Sequence, residues 1–262
     1  NISYCIYEII ETESECWLTK GEKVILAEKL SSECLKQARV LNTNKIENLN
    51  FEDLKDFKIK HPFSEMVGSN EFWNYEVPLI NSAIVTEETG TGFVHMAPSH
   101  GAEDYEEFSQ RGWLEKLTHN VNEDSSFVKK MPFFGGIEIF SKKGKEGKAN
   151  EAIIQKLIEA KCLMARGRLM HSYPHSWRSK APLIFRNTKQ WFVSIDKDIS
   201  NQVNLPQETI YGNTIRERAL KSIDELVSWH PKSGRNRLFS MIETRPDWVL
   251  SRQRVWGVPL AC

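Results

Sequence analysis

The sequence predicts an α+β fold: an antiparallel, barrel-like β core with peripheral helices, followed by a more helical return segment from about residue 166 onward. Three observations carry this expectation. Ser3 to Glu11 and Glu15 to Glu28 are rich in Ile, Tyr and Val, and polar Glu11-Thr-Glu-Ser14 and Lys20-Gly21 interrupt them, so they read as antiparallel strands joined by tight turns. Asn150 to Leu163 sets Ile153, Ile154, Leu157, Ile158 and Cys162 at helical spacing, the stripe of a helix that faces a core. Thr214-x-x-Glu217 is a capping box that opens a further helix, running to about Trp229.

The remaining elements follow in order. Ser31-Ser32 is expected to cap a short helix with Cys34, Leu35, Ala38 and Leu41 on one face, and residues 42–60 read as charged and irregular. Strands are expected again around Glu76 to Thr86 and at Gly92 to Met96. Ala102 to Gly112 opens with acids and closes on a glycine, as a helix does. Lys142 to Lys148 reads as an exposed loop, and no internal repeat is found. These elements divide the chain into residues 1–165, 166–250 and 251–262.

Composition bounds the function. At 262 residues, 40% hydrophobic and 27% charged, the chain is long enough for one large or two smaller domains. It contains no apolar run of membrane-spanning length and no signal-peptide pattern, so neither membrane insertion nor export is expected from it. Five scattered cysteines without a Cys-x-x-Cys pair favour a reducing compartment, hence a cytoplasmic location. With 35 basic and 35 acidic residues, a nucleic-acid partner would have to be held by a local patch.

The chemistry is concentrated in Thr89 to Tyr105. Gly90 and Gly92 allow positive φ and close approach of a ligand to the backbone; Phe93-Val94 leads to His95; Pro98 and Gly101 mark a turn; and Asp104 falls in the first turn of the next helix. A strand end, a tight loop and a helix start can aim His95 and Asp104 into one cavity. Two other readings of the same residues stand beside this one. Asp104 can be an ordinary capping group, and His95, His100 and Asp104 can offer two nitrogens and an oxygen to zinc, although not at His-Glu-x-x-His spacing.

The pattern Gly-Thr-Gly-x-Val-His-x-Ala-Pro-x-His-Gly-x-x-Asp-Tyr (Gly90 to Tyr105) resembles the editing-domain signature of bacterial isoleucyl-tRNA synthetases, class I. Valyl and leucyl enzymes fit less well, since they usually carry another residue at the position of His95 and aspartate at that of Gly101. His171 to Arg186, Gln190 to Ile195 and Arg245 to Pro259 resemble the same family in the same order, whereas residues 1–88 match only in general pattern. The resemblance implies post-transfer editing, the hydrolysis of the ester in valyl-tRNA(Ile), on a β core at 1–165 with a return and hinge segment at 166–250. The stretch 251–262, with Trp256-Gly-Val-Pro-Leu260, would begin re-entry into a Rossmann-type synthetic domain. The alternatives are a catalytically incomplete tRNA-binding module and the editing domain of a valyl or leucyl enzyme.

The family assigns roles to matching positions. Asp104 would bind the substrate ammonium, His95 would form the wall that limits side-chain size and touch the terminal ribose, and Gly92 and Phe93 would line the floor. His100 is expected to structure the loop. By their residue types alone, Arg178, Lys180 and Arg186, with Trp177 and Phe185 beside them, are candidates to meet tRNA phosphates or, equally, to form a solvated basic face. Where many relatives carry a Cys-x-x-Cys, this chain has Ser176 and Ser179, so no metal is expected. The threonine-rich wall of the family's pocket would lie before Asn1. The His-Ile-Gly-His and Lys-Met-Ser-Lys-Ser signatures do not occur in these residues, so adenylation is not expected of them; ATP and magnesium would belong to a full-length enzyme, and this segment would need no cofactor. The expected partners are valine-charged tRNA(Ile) and the rest of a monomeric synthetase in cis, with no membrane.

Overall fold

The computed structural model describes residues 2–88, 90–168, 170–201 and 211–252, arranged in two compact units, Asn1–Asn187 and Thr188–Cys262. The stretch 253–262, with the expected re-entry at Trp256 to Leu260, lies outside the described residues.

In the first unit, β1 (Tyr4–Thr12) is the middle strand of an antiparallel sheet, between β2 (Lys23–Ala27) and β3 (Val40–Leu49). Successive strand side chains alternate between faces. Cys5, Tyr7 and Ile9 are therefore buried together with Leu26 and Leu35, while Tyr4 joins Ala27, Leu30 and Leu54 in a second cluster. Register shifts interrupt the β1–β3 ladder between Ile6 and Tyr7, Ile9 and Glu11, and Glu11 and Thr12.

Two expectations about this region are corrected. Helix α1 (Glu28–Gln37) begins straight from β2, so Ser31 is not its cap; Ser31 Oγ donates to the Glu28 carbonyl at 2.8 Å and accepts the Tyr7 hydroxyl at 2.9 Å. Residues 42–60 are not irregular, since they contain most of β3, helix α2 (Phe51–Leu54) and strand β4 (Lys58–Lys60). β3 is an edge strand whose backbone ladder tolerates charge, and Leu41, expected on the helix, is 59% exposed on it. Asn50 caps α2 by accepting the Glu52 and Asp53 N–H groups, with Asp53 returning a bond from Asn50 N–H.

β4 pairs with β5 (Glu76–Pro78), and the connection between them supplies a separate aromatic core. Phe63 and Trp73 pack there with Met131 and Phe134, and α4 (Ala149–Glu159) lays Ile153 and Leu157 against them. Cys162, expected to extend that stripe, lies exposed beyond the end of α4.

Three separate antiparallel sheets and no closed barrel are present among the described residues. The expected strand at Glu76 to Thr86 is only Glu76–Pro78, and Gly92 to Met96 forms no ladder. Helix α3 (Ala102–Gln110) matches its acidic start, and Gly112 beyond its end has φ +70°.

The second unit pairs β6 (Phe192–Val193) with β7 (Trp248–Val249) and contains α5 (Ile215–Glu225) and α6 (Ser233–Glu243), the latter not anticipated from the sequence. The Thr214 capping box is formed: Thr214 Oγ1 accepts the Glu217 N–H at 3.1 Å, and the Glu217 carboxylate accepts the N–H groups of Asn213 and Thr214. Arg216 then gathers the unit. Its guanidinium pairs bidentately with Asp196 at 2.7 Å and donates to the carbonyls of Ile242, Glu243 and Arg245. Asp196 is held below the usual carboxylate range by those bonds. Among the described residues no helix is long and apolar enough to cross a membrane.

Candidate functional site

The glycine turn is fixed to the sheet from below. Gly90 and Gly92 both have positive φ, +81° and +85°, and the segment sits against Tyr4 and Ala27, the paired residues at one end of the β1–β2 ladder. The Tyr4 hydroxyl donates to the Gly92 carbonyl at 2.8 Å, Ala27 N–H donates to the Thr91 carbonyl at 2.9 Å, and the Cys34 thiol donates to the Gly90 carbonyl at 2.8 Å. Phe93 stacks obliquely on Tyr4 with ring centroids 4.7 Å apart. Gly92 is buried against Ala27, where a Cβ would overlap the Ala27 methyl. Thr89 lies outside the described residues.

Beyond Phe93 the chain turns outward: Val94 is half exposed and His95 is exposed. The following loop closes on itself. His100 and Gly101 N–H groups donate to the Ala97 carbonyl at 2.8 and 2.9 Å, and Ala97 N–H donates to Asp104 Oδ2 at 2.8 Å. Asp104, partly buried at the start of α3, is thus a clasp that returns the helix to the residue two places after His95. The same bond leaves Oδ1 with no hydrogen-bond partner among the described residues. His95 and Asp104 are brought to the two ends of one short loop with their functional atoms uncommitted to each other.

His100 turns the other way. Its Nδ1 donates to the Phe185 carbonyl at 2.8 Å, and Asn187 N–H donates to the Ser99 carbonyl at 2.8 Å. Arg186 Nη1 donates to the Val121 carbonyl at 3.1 Å. The bonds of His100 and Ser99 attach residues 185–187 to the site loop within the first compact unit.

The sequence reading missed a second imidazole. His61 stacks on Trp73 with ring centroids 4.5 Å apart, and its Nδ1 accepts the Phe63 N–H at 3.2 Å. That bond places the remaining ring proton on Nε2. Burial first, and the His95 imidazole second, push the His61 pKa below the ordinary histidine value, so His61 is neutral at pH 7. Tyr75 lies against it at 5.7 Å, and the Trp73 indole N–H is buried without an acceptor among the described residues. His61-Pro-Phe63 with Trp73-Asn-Tyr75 was the available signal, an aromatic cluster on both arms of a short hairpin.

Comparison with known proteins settles the family. Residues 7–262 match the model of the class I tRNA synthetases (I, L, M and V). The chain belongs to that family. It is 50% identical over 264 residues to the isoleucine–tRNA ligase of Ruegeria pomeroyi, covering 100% of this chain and 27% of the relative. The corresponding ligases of Bradyrhizobium diazoefficiens and Rhodopseudomonas palustris are 45% and 43% identical, each across 99% of this chain and 26% of the relative. The chain therefore spans about a quarter of the length of the curated relatives it matches.

In this chain the serines at 176 and 179 build a turn. Ser179 N–H donates to Ser176 Oγ at 3.3 Å, Ala181 N–H to Ser179 Oγ at 3.4 Å, and Ser176 N–H to the Ala181 carbonyl at 2.8 Å, with His175 bridged to Pro182. Hydroxyls hold the geometry. No group of three metal-ligating side chains is found among the described residues; His100 Nδ1 and Asp104 Oδ2 each hold a backbone partner instead. Elemental analysis of the purified chain is expected to find no stoichiometric zinc, and chelation to leave its circular dichroism unchanged. One zinc per chain, lost together with structure, would contradict this.

Proposed function

We propose that the chain is the editing portion of an isoleucyl-tRNA synthetase, hydrolysing the ester that joins valine to the terminal adenosine of tRNA(Ile). The observation that carries the reading is the loop from Gly92 to Asp104, fixed below by Tyr4 and Ala27 and closed by Asp104 on Ala97. Identity to isoleucine–tRNA ligases along the whole chain supports it.

One methylene distinguishes isoleucine from valine, and a hydrophobic pocket extracts only about 1–3 kcal/mol from it, a value for which isoleucyl-tRNA synthetase is itself the standard case. A second sieve must admit valine and exclude isoleucine. The ester is already activated, so an oriented water, a partner for the ammonium and donors for the developing oxyanion suffice. Asp104 Oδ1 supplies the ammonium partner. His95 forms the wall, Gly92 and Phe93 the floor, and His100 holds the loop to Phe185. The water would be positioned by the threonine-rich segment of the wider enzyme, which in turn would bind ATP and magnesium at its synthetic site. The open face at Val94 and His95 favours a second reading, a tRNA-binding module without hydrolytic activity.

His95→Ala in the full-length protein tests the sieve. Shortening the wall should admit one more methylene, so the preference for valyl-tRNA over isoleucyl-tRNA in deacylation should fall at least tenfold, on the scale of about 1–3 kcal/mol per methylene. The ratio of the two rates is the informative quantity, because the ring also faces the ribose. An unchanged ratio would remove His95 from the size limit, and absence of deacylation in the unsubstituted protein would favour the second reading.

A further inference from the structure

Ester hydrolysis puts negative charge on the carbonyl oxygen, and a hydrogen-bond donor aimed there is usually the largest single aid to the reaction. Much of the site loop is already spent. Phe93 N–H donates to Thr91 Oγ1 at 3.3 Å, Ala97 N–H to Asp104, and His100 and Gly101 N–H to the Ala97 carbonyl. The Asp104 carboxylate offers acceptors only.

His61 lies outside that loop but in the same neighbourhood. Lys60 pairs with Glu76 at the end of the β4–β5 ladder, so His61 and Tyr75 follow at that end. β5 leads on to Leu79, which packs, as Phe93 does, on the cluster of Tyr4 and Ala27 beneath the glycine turn. Two residues beyond Phe93 stands His95, whose imidazole is, after burial, the second cause of the lowered His61 pKa.

The ring has one orientation and one tautomer. Trp73 lies nearly parallel to it, at an interplanar angle of 11°, and Phe63 meets it edge-on at 5.2 Å. Trp73 and Phe63 are themselves buried in the aromatic core, so the plane of His61 is set by packing. Its Nδ1 lone pair is used by the Phe63 N–H, and the proton is on Nε2. Nε2 therefore cannot act as a base; it donates. Burial keeps the ring neutral, so it adds no positive charge beside a substrate that carries an ammonium.

We infer that His61 is a further substrate-contacting residue of the site, whose Nε2–H donates to the ester carbonyl oxygen and stabilises the oxyanion formed there. Water adds to the carbonyl carbon and the π pair moves onto oxygen. On collapse the ribose oxygen leaves as a hydroxyl with one of the water's protons, and the acid formed releases the other. The His61 proton is shared and never transferred. A neutral imidazole suits that task, since it polarises a carbonyl without repelling the ammonium held by Asp104. The inference rests on the editing reading above.

Single-turnover deacylation of valyl-tRNA(Ile) by an excess of full-length protein, at varied protein concentration, separates maximal rate from half-saturation and tests it. Two substitutions divide the ring's nitrogens. His61→Asn keeps an acceptor near Nδ1 for the Phe63 N–H and leaves nothing at Nε2; His61→Gln places an amide donor near Nε2 and gives up the Nδ1 bond. In His61→Asn the maximal rate should fall about 100- to 1,000-fold, with half-saturation and thermal melt unchanged. His61→Gln should recover about tenfold or more of that loss. A histidine that only supports the fold predicts the reverse order. A parent-like rate in His61→Asn, a rate in His61→Gln no higher than in His61→Asn, or a loss that follows the folded fraction in the melts overturns the inference. Absence of deacylation in the unsubstituted protein sinks the editing reading and this inference together, whereas an active parent with unaffected variants sinks this inference alone.

Discussion

Gly92→Ala is expected to destabilise the first unit by about 2–4 kcal/mol, the sum of a left-handed backbone for an L-residue and of overpacking in a filled core. The backbone there has φ +85°, and the added Cβ would overlap the Ala27 methyl and come within 3.2 Å of the Tyr4 ring. Neither neighbour can yield. Ala27 is fully buried opposite Tyr4 in the β1–β2 ladder, and Tyr4 is held by its own hydrogen bond to the Gly92 carbonyl. Gly90→Ala provides the comparison, since φ is +81° but nothing lies within 4 Å of the added methyl, so only the backbone contribution of about 1–2 kcal/mol is expected. Urea denaturation of both variants checks it; equal losses would mean that close approach at Gly92 is not what the sequence preserves.

Asp104 is expected to separate into two functions when substituted. Its Oδ2 accepts the Ala97 N–H, and its remaining oxygen is the proposed partner of the substrate ammonium. Asp104→Asn keeps an acceptor for Ala97 and removes the charge; Asp104→Ala removes both. In the full-length protein each should lower valyl-tRNA deacylation about 10- to 150-fold, the equivalent of about 1.5–3 kcal/mol for a hydrogen bond to a charged group. Only the alanine variant should also lose stability, by about 1–2 kcal/mol, because it leaves the Ala97 N–H unpaired. Deacylation rates paired with thermal melts decide it. Full activity in Asp104→Asn would reduce the carboxylate to a clasp.

Local signals were legible in the sequence wherever the controlling interaction was itself local. The Thr214 box needs only residues three apart, and the acidic start of α3 and the glycines at 90 and 92 report on their own backbone. β3 was not legible, because its charged residues say nothing about a ladder made by backbone groups with β1, whose partners Tyr4 to Thr12 lie far back along the chain. The Gly92 to Met96 run has the apolar composition of a strand, yet tertiary anchoring by Tyr4 and Ala27 replaces strand pairing. At the site, His95, His100 and Asp104 could be picked out together, but the carbonyl that engages His100 lies 85 residues on. His61 escaped notice for the same reason: its stacking on Trp73 and its electrostatic link to His95 depend on a fold that no local spacing encodes.

Arg216 gives the second unit a different kind of cohesion from the first. Among the described residues of that unit only Ile195 and Ile223 are buried apolar side chains, whereas one guanidinium ties Asp196 to the chain reversal after α6. Apolar contact carries little directional preference of its own and fixes geometry only through the shape of the packing. A planar fork with donors engaged on a carboxylate and three carbonyls admits one orientation, and lysine cannot imitate it. The unit can thus be small and thinly packed and still hold α5 and α6 in one arrangement, with that arrangement dependent on a single cation.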